Sequence, residues 1–479
     1  MNKTKLAFVG LIFTSLFLIS TESFWVDEGI SASWLIKDSL SNLFSDLLSN
    51  TESESQMPLY IICIWFWGLI VPHTEWFLRS LNLIFLIGTG LFIYNYSKRY
   101  DNSFILLTFF VQPFLWKYVG EFRPYLLQIF LHTIQIIMLL DLYNNKNIKY
   151  RTFLLITSSF LSCFVHMLSV IPFIIISLII LFCVLRKKII FFKQEIKVIL
   201  ISIPLFFFLG LYYLQTLLRD AGGAKLWDPS IKNYLFSIYE MIGLSGIGPS
   251  YLMIRDIASN EILGIIRLFI DYIPIISIFL IVFILLILNL RFINDKNNKL
   301  LIIFLTSVFL ILITLSSLAN WPFWGRHLAP IFPAYTIILS TLISFYWKKN
   351  NFAKIISLTL LLLLIFSSFN NRFNDKYAKE DYRGVMNYVG THSDDTLILM
   401  GINKPTFLFY EKYFQDEYKF DNAIFVKDLK KNPLNVPDKI ILTRPNAIDS
   451  DFYIRKYITD NNFEEDISKF VGFKIYRRL

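Results

Sequence analysis

Long runs of apolar residues recur along most of this chain and constrain its fold more than any other feature. Four of the clearest cover 196–214, 270–290, 300–318 and 353–369. Each approaches or exceeds the roughly 17–25 residues that a helix needs to cross the hydrocarbon core of a bilayer. The 479 residues are 55% hydrophobic and only 17% charged, which excludes a soluble domain of this length. The sequence therefore predicts a polytopic α-helical membrane protein.

The net charge of +10 comes largely from Lys and Arg residues in short segments between the apolar runs. It therefore reports topology, and no nucleic-acid partner is expected. The three cysteines, Cys63, Cys163 and Cys183, lie inside apolar segments and show neither a disulfide framework nor zinc spacing. The first 20 residues resemble a signal peptide, but no small-x-small cleavage pattern follows, so we expect an uncleaved first helix.

The basic segments set the expected topology, because Lys and Arg favour the cytoplasmic side of short loops. Placing them inside gives about eleven membrane helices, with a range of 11 to 13, and puts the tail on the side opposite the N-terminus. The expected helices cover 6–21, 78–96, 104–119, 124–141, 152–166, 168–185, 196–215, 262–290, 300–318, 328–347 and 353–369.

Two long external loops complete the predicted transmembrane domain, residues 1–370. The first, 22–77, contains an amphipathic segment at 30–48 and the Trp-rich run 58–71, which is short for a span. Both are expected to lie as helices at the outer membrane interface. The second loop, 216–261, contains the turn sequences AGG and GIGPS and is expected to form a cover.

The composition changes after residue 370. NRFNDKYAKEDYRGVMNYVG is typical of a helix-bearing linker, and five strand-like runs follow. These runs are DTLILM, FLFYEKYF, NAIFVK, DKIILT and GFKIYRRL. The sequence thus predicts a small external C-terminal α/β domain over 371–479.

Charged residues on the predicted outer face fall into four clusters. Charges at membrane depth are costly unless they are paired or functional, so their convergence indicates an anionic ligand. The clusters are FWVDEG with Asp27 and Glu28, FLRSLNLIF with Arg79, VGEFRPY with Glu121, Arg123 and Tyr125, and WPFWGRHLAP with Arg326 and His327. Each cluster alone is also compatible with a solvated loop.

With these motifs in this order, the chain resembles the C-type superfamily of glycosyltransferases that use polyprenyl-phosphate sugars. The resemblance is to the family 39 type, which contains protein O-mannosyltransferases and the lipid A aminoarabinose transferase. It rests on Asp27 and Glu28, the Pro-Leu-Tyr element ending at Tyr60, Arg79, the E-x-R-P-Y element and the R-H-L-A-P-x-x-P element. The KEDYRGVMNYV stretch at 379–389 also resembles the start of the external domain in bacterial members.

The resemblance implies an inverting transfer of a hexosyl or pentosyl group from a polyprenyl-phosphate donor, undecaprenyl phosphate in bacteria. Asp27 fits the general base, and Glu121 fits a second catalytic carboxylate that orients the acceptor or an arginine. The implied substrate-binding residues are Glu28, Tyr60, Arg79, Arg123, Tyr125, Arg326 and His327. One departure stands out: many relatives carry a basic residue before the Pro-Leu element, where this chain reads Gln56 and Met57.

Several alternatives stay open at this stage. A flippase or transporter of lipid-linked sugars would carry more charges in mid-span and repeated broken helices. A polysaccharide polymerase or ligase would not be expected to place an acidic pair directly after the first helix. No cofactor is required, although a weakly assisting divalent cation remains compatible. The expected partners are the lipid-linked donor, membrane lipids and a glycolipid, polysaccharide or protein acceptor, at the outer side of a bacterial plasma membrane.

Overall fold

The computed structural model describes most of the chain. The described residues are 16–49, 53–146, 148–189, 191, 193–219, 230–256, 262–288, 295–392, 397–400, 404–414, 423–425, 437–443, 453–467 and 470–479. The predicted first helix, 6–21, lies outside the described residues up to residue 15. Within 16–21 the chain forms mainly turns.

Helices dominate the described chain up to residue 373. The first half contains α1 (Val26–Ser33), α2 (Leu40–Ser49), α3 (Pro58–Gly68), α4 (Glu75–Arg79), α5 (Leu81–Tyr100), α6 (Ile105–Phe110), α7 (Pro113–Val119), α8 (Tyr125–Tyr143), α9 (Arg151–Val165), α10 (Val170–Leu185) and α11 (Lys193–Leu218). The second half contains α12 (Ile231–Ile242), α13 (Tyr251–Asp256), α14 (Ile262–Ile270), α15 (Ile273–Ile287), α16 (Lys296–Leu318), α17 (Phe332–Lys349) and α18 (Asn351–Phe373). Short 3₁₀ turns occur at Trp34–Ile36, Ser53–Gln56, Met167–Ser169, Gly325–Leu328 and Asp375–Tyr377.

Six helical segments among the described residues are long and apolar enough to cross a membrane. They are Glu75–Tyr100, Tyr125–Tyr143, Met167–Leu185, Lys193–Leu218, Lys296–Leu318 and Asn351–Phe373. Of these, α8 is almost completely buried by its neighbours, whereas α11 exposes most of its apolar side chains. In a monomeric soluble protein such a surface would be anomalous, and here it is typical of a lipid-facing helix.

Prolines break two of the helices that the sequence predicts as continuous. The expected helix 104–119 is divided into α6 and α7, because Gln112 adopts an extended conformation before Pro113, which lacks an N–H. The expected helix 262–290 is divided into α14 and α15 by a turn at 271–272, just before Pro274. Apolar periodicity continues through both breaks, so it did not reveal them.

The first external loop also differs in detail from its prediction. The amphipathic segment 30–48 is not one helix, since it contains the end of α1, a 3₁₀ turn and α2. Lys37 is extended, and the Ser39 hydroxyl accepts a hydrogen bond from the backbone N–H of Asn42 (3.2 Å), which starts a new helix. The run 58–71 does form a helix, α3, with Pro58 in its first turn.

The described part of the second predicted loop, 230–256, is folded and packed. It contains α12 and α13, and α12 packs on α7 and on the turn Gly325–Leu328. GIGPS forms the expected turn at 246–250, while AGG at 221–223 lies outside the described residues.

The tail folds as a mixed α/β structure. It contains α19 (Tyr382–Thr391), β1 (Leu397–Met400), α20 (Lys404–Phe414), β2 (Ala423–Phe425), β3 (Lys439–Thr443), α21 (Tyr453–Asp460), β4 (Phe463–Glu465) and β5 (Phe473–Arg478). The sheet order is β2-β1-β3-β5-β4. β1 runs parallel to β2 and β3, with Ile398 opposite Ile440, and β5 runs antiparallel to β3 and β4.

One predicted strand of the tail is wrong. FLFYEKYF, residues 407–414, forms most of α20. Its buried residues Phe407, Phe409 and Tyr410, with Thr406 just before them, follow a helical spacing, while Leu408 is exposed. The strand β4 was missed. Helix α18 continues to Phe373, three residues past the end of the predicted transmembrane domain.

The two largest apolar cores among the described residues lie in different regions. The larger fills the helical bundle, and the second joins the predicted first external loop to the tail through Phe24, Tyr60, Phe122 and Tyr410. The Tyr410 hydroxyl accepts from the backbone N–H of Phe24 at 2.7 Å. A Cβ on Gly29 of α1 would overlap the side chain of Thr406, so this glycine permits the close contact of α1 with α20.

Candidate functional site

The acidic pair Asp27 and Glu28 lies in the first turn of α1, where negative charge is favourable. Glu28 is at the third helical position and accepts from the backbone N–H of Trp25 at 3.4 Å, which helps to cap the helix. The two carboxylates diverge from this turn. Glu28 is completely buried, whereas the side chain of Asp27 is 20% exposed.

Glu28 is bound in a closed network around Arg79. The Nε and Nη2 groups of Arg79 donate to the two oxygens of Glu28 at 2.8 and 2.7 Å. The remaining N–H groups of Arg79 donate to the carbonyl oxygens of Ser20, Glu22 and Ser23. Five donors are all that an arginine has, so this guanidinium is saturated by the protein itself.

The charge state of Glu28 follows from the same network. Burial alone would raise its pKa, but Arg79, Lys379 and the hydrogen bond from the backbone N–H of Phe122 outweigh burial. The pKa of Glu28 therefore lies below its ordinary value. This carboxylate therefore favours its ionised form, and its hydrogen bonds connect α1, α4 and the start of the E-x-R-P-Y element.

Arg123 lies behind Asp27 rather than beside Glu121. Its Nη1 donates to the carbonyl oxygen of Asp27 at 2.9 Å and to the Ser31 hydroxyl at 2.7 Å. The same atom forms an ion pair with the buried carboxylate of Glu54 at 3.1 Å. The Nε of Arg123 is buried and has no hydrogen-bond partner among the described residues.

Asp27 forms an ion pair with Arg326. The two residues are 299 positions apart in sequence. They meet because the turn Gly325–Leu328 packs on α12 and so brings Arg326 to the first turn of α1. The Arg326 side chain is 24% exposed, so this pair, unlike that of Glu28, is open to a ligand.

Glu121 is buried, and Lys379 lies between it and Glu28. The Nζ of Lys379 is 3.6 Å from Glu121, 3.4 Å from Glu28 and 3.2 Å from the carbonyl oxygen of Gly120. Burial raises the pKa of Glu121 above its ordinary value, although Lys379 and Lys117 oppose that rise. A carboxyl group whose pKa is raised in this way can form a hydrogen bond with a bound hydroxyl or exchange a proton with it.

A cleft of about 1090 Å³, including space open to solvent, lies over this region. Glu121 and Arg326 line it directly, and Asp27 reaches it through its contact with Arg326. Among the described residues, the other charged lining side chains are Glu22, Lys117, Glu240, Arg372, Lys379 and Glu380. Aromatic side chains form much of the remaining wall: Trp25, Trp116, Tyr118, Phe236, Tyr251, Trp324 and Tyr377.

The other residues that the sequence predicts for the site lie around it. Tyr60 is completely buried against Phe122, and its hydroxyl has no partner among the described residues. The Tyr125 ring lies 6.0 Å from the Cζ of Arg123. His327 accepts a hydrogen bond at Nδ1 from the backbone N–H of Trp324 (3.0 Å). Burial, followed by Arg326 and His166, holds the pKa of His327 well below its ordinary value, so this histidine is neutral.

Sequence reasoning missed five residues of this region. Lys379 belongs to the stretch that resembles the start of the external domain, Lys117 lies in a predicted membrane helix, and Glu240 lies in a predicted loop. Glu54 is the partner of Arg123, and His166 lies within electrostatic range of Arg123 and Arg326. Lys117 and His166 are ionisable residues next to predicted helix ends, which is a signal that could have found them. Glu54, Glu240 and Lys379 lie in predicted loops or in the tail, where a charged residue carries no such signal.

No group of three or more His, Cys, Asp or Glu side chains suited to a metal ion occurs among the described residues. A single carboxylate such as Glu121 could still contribute to binding a cation together with a substrate phosphate.

No protein-family model matches the sequence, and no curated protein matches it. Solved structures do match. ArnT from Cupriavidus metallidurans in the apo state has 9% sequence identity over 99% of this chain and 97% of that chain, with a TM-score of 0.54. The same protein bound to undecaprenyl phosphate has 10% identity over 99% of this chain and 98% of that chain, with a TM-score of 0.51.

The likeness extends over both the helical bundle and the tail. It confirms the polytopic helical membrane architecture, and the shared fold agrees with the resemblance that the sequence motifs indicate. The chain therefore has the fold of ArnT.

Proposed function

We propose that this protein is an inverting glycosyltransferase. It moves a sugar from an undecaprenyl-phosphate donor to an acceptor at the outer face of the bacterial plasma membrane. The proposal rests on the cleft, whose lining includes Arg326, Glu121 and several aromatic side chains. Asp27 forms its ion pair with Arg326 at the border of this cleft. The fold likeness to a protein bound to undecaprenyl phosphate supports the choice of donor.

The proposed reaction forms one bond and breaks one. The acceptor hydroxyl gives its proton to the Asp27 carboxylate while its oxygen attacks the anomeric carbon of the donor sugar. The bond from that carbon to the phosphate oxygen breaks, and the phosphate leaves with the electron pair. Attack from the face opposite the leaving group inverts the anomeric configuration.

In this proposal, Arg326 makes activation of the base depend on donor binding. It pairs with Asp27 in this structure, and an arginine that neutralises a carboxylate weakens that carboxylate as a base. The donor phosphate is a stronger competitor for the guanidinium fork than a lone carboxylate oxygen. Donor binding would therefore draw Arg326 toward the phosphate and make Asp27 a stronger base only when a substrate is present.

The remaining predicted site residues divide between the cleft and its support. Glu121 is placed to orient the acceptor, since it lines the cleft and has a raised pKa. Arg123 would support Asp27 through its hydrogen bond to the Asp27 carbonyl oxygen, and its Nε has no hydrogen-bond partner among the described residues. Arg79 and Glu28 support this machinery without touching substrate, because Arg79 has no N–H left for a phosphate.

The test is transfer by the purified full-length protein in detergent. Undecaprenyl phosphate carrying a labelled sugar is offered with glycolipid, polysaccharide and protein fractions of the source membrane, and labelled product is measured. A covalent sugar–acceptor product formed in detergent, where there are no two membrane sides, would exclude a flippase, because a flippase only moves lipids across a membrane. Addition of a single residue rather than a chain would exclude a polymerase. Absence of any transfer, together with no binding of undecaprenyl phosphate, would refute the proposal.

The outer location of the cleft and of the tail domain, 371–479, is part of this proposal. In a variant without its own cysteines, single cysteines at the exposed positions Ser45 and Thr391 should react with an impermeant thiol reagent in intact spheroplasts. A cysteine at the exposed position Lys187, on a predicted inner loop, should not react. Reaction at Lys187 alone would reverse the orientation.

A further inference from the structure

One end of the cleft contains an ion pair that the proposed reaction does not use. Lys117 at the end of α7 lies 2.5 Å, between Nζ and Oε1, from Glu240 of α12. Glu240 is nearly buried, whereas the Lys117 side chain is 28% exposed, and both line the cleft. The pair therefore presents a cation and an anion side by side to whatever occupies this end.

Neighbouring residues fix the position of the pair. The rings of Tyr118 and Tyr251 lie 5.4 and 5.5 Å from the Nζ of Lys117. A Cβ on Gly325 would overlap Oε2 of Glu240, so a larger residue at this position would displace the Glu240 carboxylate. The pair is thus held beside the residue that we assign to the donor phosphate.

The walls around the pair are aromatic. Tyr251 lies between Phe236 and Trp324, with ring centroids 5.8 and 5.7 Å away, and Trp116 completes this end of the cleft. A pocket of aromatic surface with a few fixed polar groups suits a ligand with apolar faces and polar edges. A sugar ring has this character, because its C–H faces are apolar and its hydroxyls lie at the edge.

Charge pairing restricts the kind of sugar. Glu240 is paired with Lys117, and the two carboxylates of the proposed reaction, Glu121 and Asp27, face Lys379 and Arg326. Each of these three carboxylates therefore already faces a cation, which reduces its attraction for an ammonium group. A sugar hydroxyl pair, in contrast, can accept from Lys117 and donate to Glu240 at once.

We infer that the Lys117–Glu240 pair binds the hydroxyls of the transferred sugar and selects an uncharged sugar over one carrying an amine or a carboxylate. This inference rests on the proposed function. The alternative is that the pair only stabilises the contact between α7 and α12 and has no effect on ligand binding.

Binding to purified full-length protein in detergent separates these roles. The probes are undecaprenyl phosphate alone and undecaprenyl phosphate linked to a neutral hexose (glucose, galactose or mannose), to an amino sugar or to a uronic acid. Wild-type protein should bind one neutral-hexose lipid about tenfold more tightly than the bare lipid, since hydrogen bonds to charged groups contribute on that scale. Neither charged sugar should improve on the bare lipid.

Removing one charge at a time should then shift the preference. Glu240→Gln leaves a lone lysine, so the neutral-hexose advantage should fall about tenfold and the uronic-acid lipid should gain. Lys117→Gln leaves a lone carboxylate, so the amino-sugar lipid should gain. The double variant should lose the neutral-hexose advantage without acquiring a charge preference, and bare-lipid binding should stay unchanged in all three. Glu195→Gln, in the Arg151–Glu195 pair away from the cleft, is the matched control.

The outcomes are distinguishable. If the variants lower thermal stability but leave the ratios among the four probes unchanged, the pair is only a tie and the inference is overturned. The same holds if the wild type binds no sugar-linked lipid more tightly than the bare one, although the proposed function would survive as long as transfer is measured. If neither the bare lipid nor any sugar-linked lipid binds and no transfer is measured, the proposed function and the inference are both refuted.

Discussion

Two carboxylates that are adjacent in sequence, Asp27 and Glu28, bind two arginines in opposite ways. The Glu28–Arg79 pair is fully buried, and every donor of its arginine is used by the protein. The Asp27–Arg326 pair is a fifth to a quarter exposed and borders the cleft. A carboxylate and a guanidinium therefore form a fully buried pair in one case and a partly exposed pair in the other.

The difference in burial leads us to expect different roles for the two ion pairs. A closed pair cannot accept a ligand without first losing a saturated network, whereas an open pair loses little when a phosphate replaces one partner. Damage at the closed pair should thus appear as loss of stability, and damage at the open pair as loss of catalysis.

The most severe effect is expected at Asp27. Asp27→Asn keeps the shape of the side chain but removes the proton acceptor, so the transfer rate should fall by about 10²–10⁴-fold. Donor binding and thermal stability should remain close to wild type. The measurement is single-turnover transfer with donor in excess, and the exposed Asp38→Asn is the matched control. A normal rate for Asp27→Asn would remove this residue from the chemistry.

The closed pair should break next. Arg79→Ala leaves Glu28 buried without its main partner, which should lower the free energy of unfolding by about 3–5 kcal/mol. Thermal unfolding in detergent and the yield of folded protein report this loss. If Arg79→Ala were stable but inactive, Arg79 would have to contact substrate, and the comparison between the two pairs would be wrong.

Arg326 should behave in the opposite manner. Arg326→Ala should lower kcat by about 10²–10³-fold, because it removes a donor aimed at charge that develops on the leaving phosphate. The unfolding temperature should change little, since a partly exposed ion pair contributes only about 0–1 kcal/mol. A lower kcat with an unchanged affinity for undecaprenyl phosphate would place its effect in the transition state. Unfolding without a specific catalytic defect would contradict the assignment.

The smallest expected effect is on the pH dependence of stability, and it concerns His327, which lies next to Arg326 of the open pair. The pKa of His327 is lowered in the folded protein, whereas the unfolded chain titrates near 6.5. The stability that this neutral histidine allows is complete above pH 6.5 and is lost as the pH falls, because only the unfolded state then takes up a proton.

Between pH 7.5 and 5.5, wild-type protein should therefore lose about 1.4 kcal/mol more than His327→Asn, whose amide oxygen can still accept from the Trp324 N–H. Thermal unfolding at both pH values measures the difference, with the exposed His73→Asn as control. Parallel curves for wild type and His327→Asn would show that His327 is charged or exposed.

Much of the fold could be predicted because a bilayer imposes length and polarity on each helix. The long apolar helices α8, α10, α11, α16 and α18 occur within a few residues of their expected positions. The breaks before Pro113 and Pro274 could not be predicted from hydropathy, because the apolar composition is the same on both sides. In the tail, Tyr410 and its neighbours have high strand propensity, but packing against α1 selects a helix.

For the candidate site, the sequence by itself identified ionisable residues near predicted helix ends, since charges are tolerated there and costly within the span. It could not distinguish Arg79 from Arg326, nor show that Lys117, Glu240 and Lys379 join them. Only the tertiary structure decided this, because burial and the distance between charges depend on how α1, α7, α12 and the tail come together, and no local pattern records that arrangement.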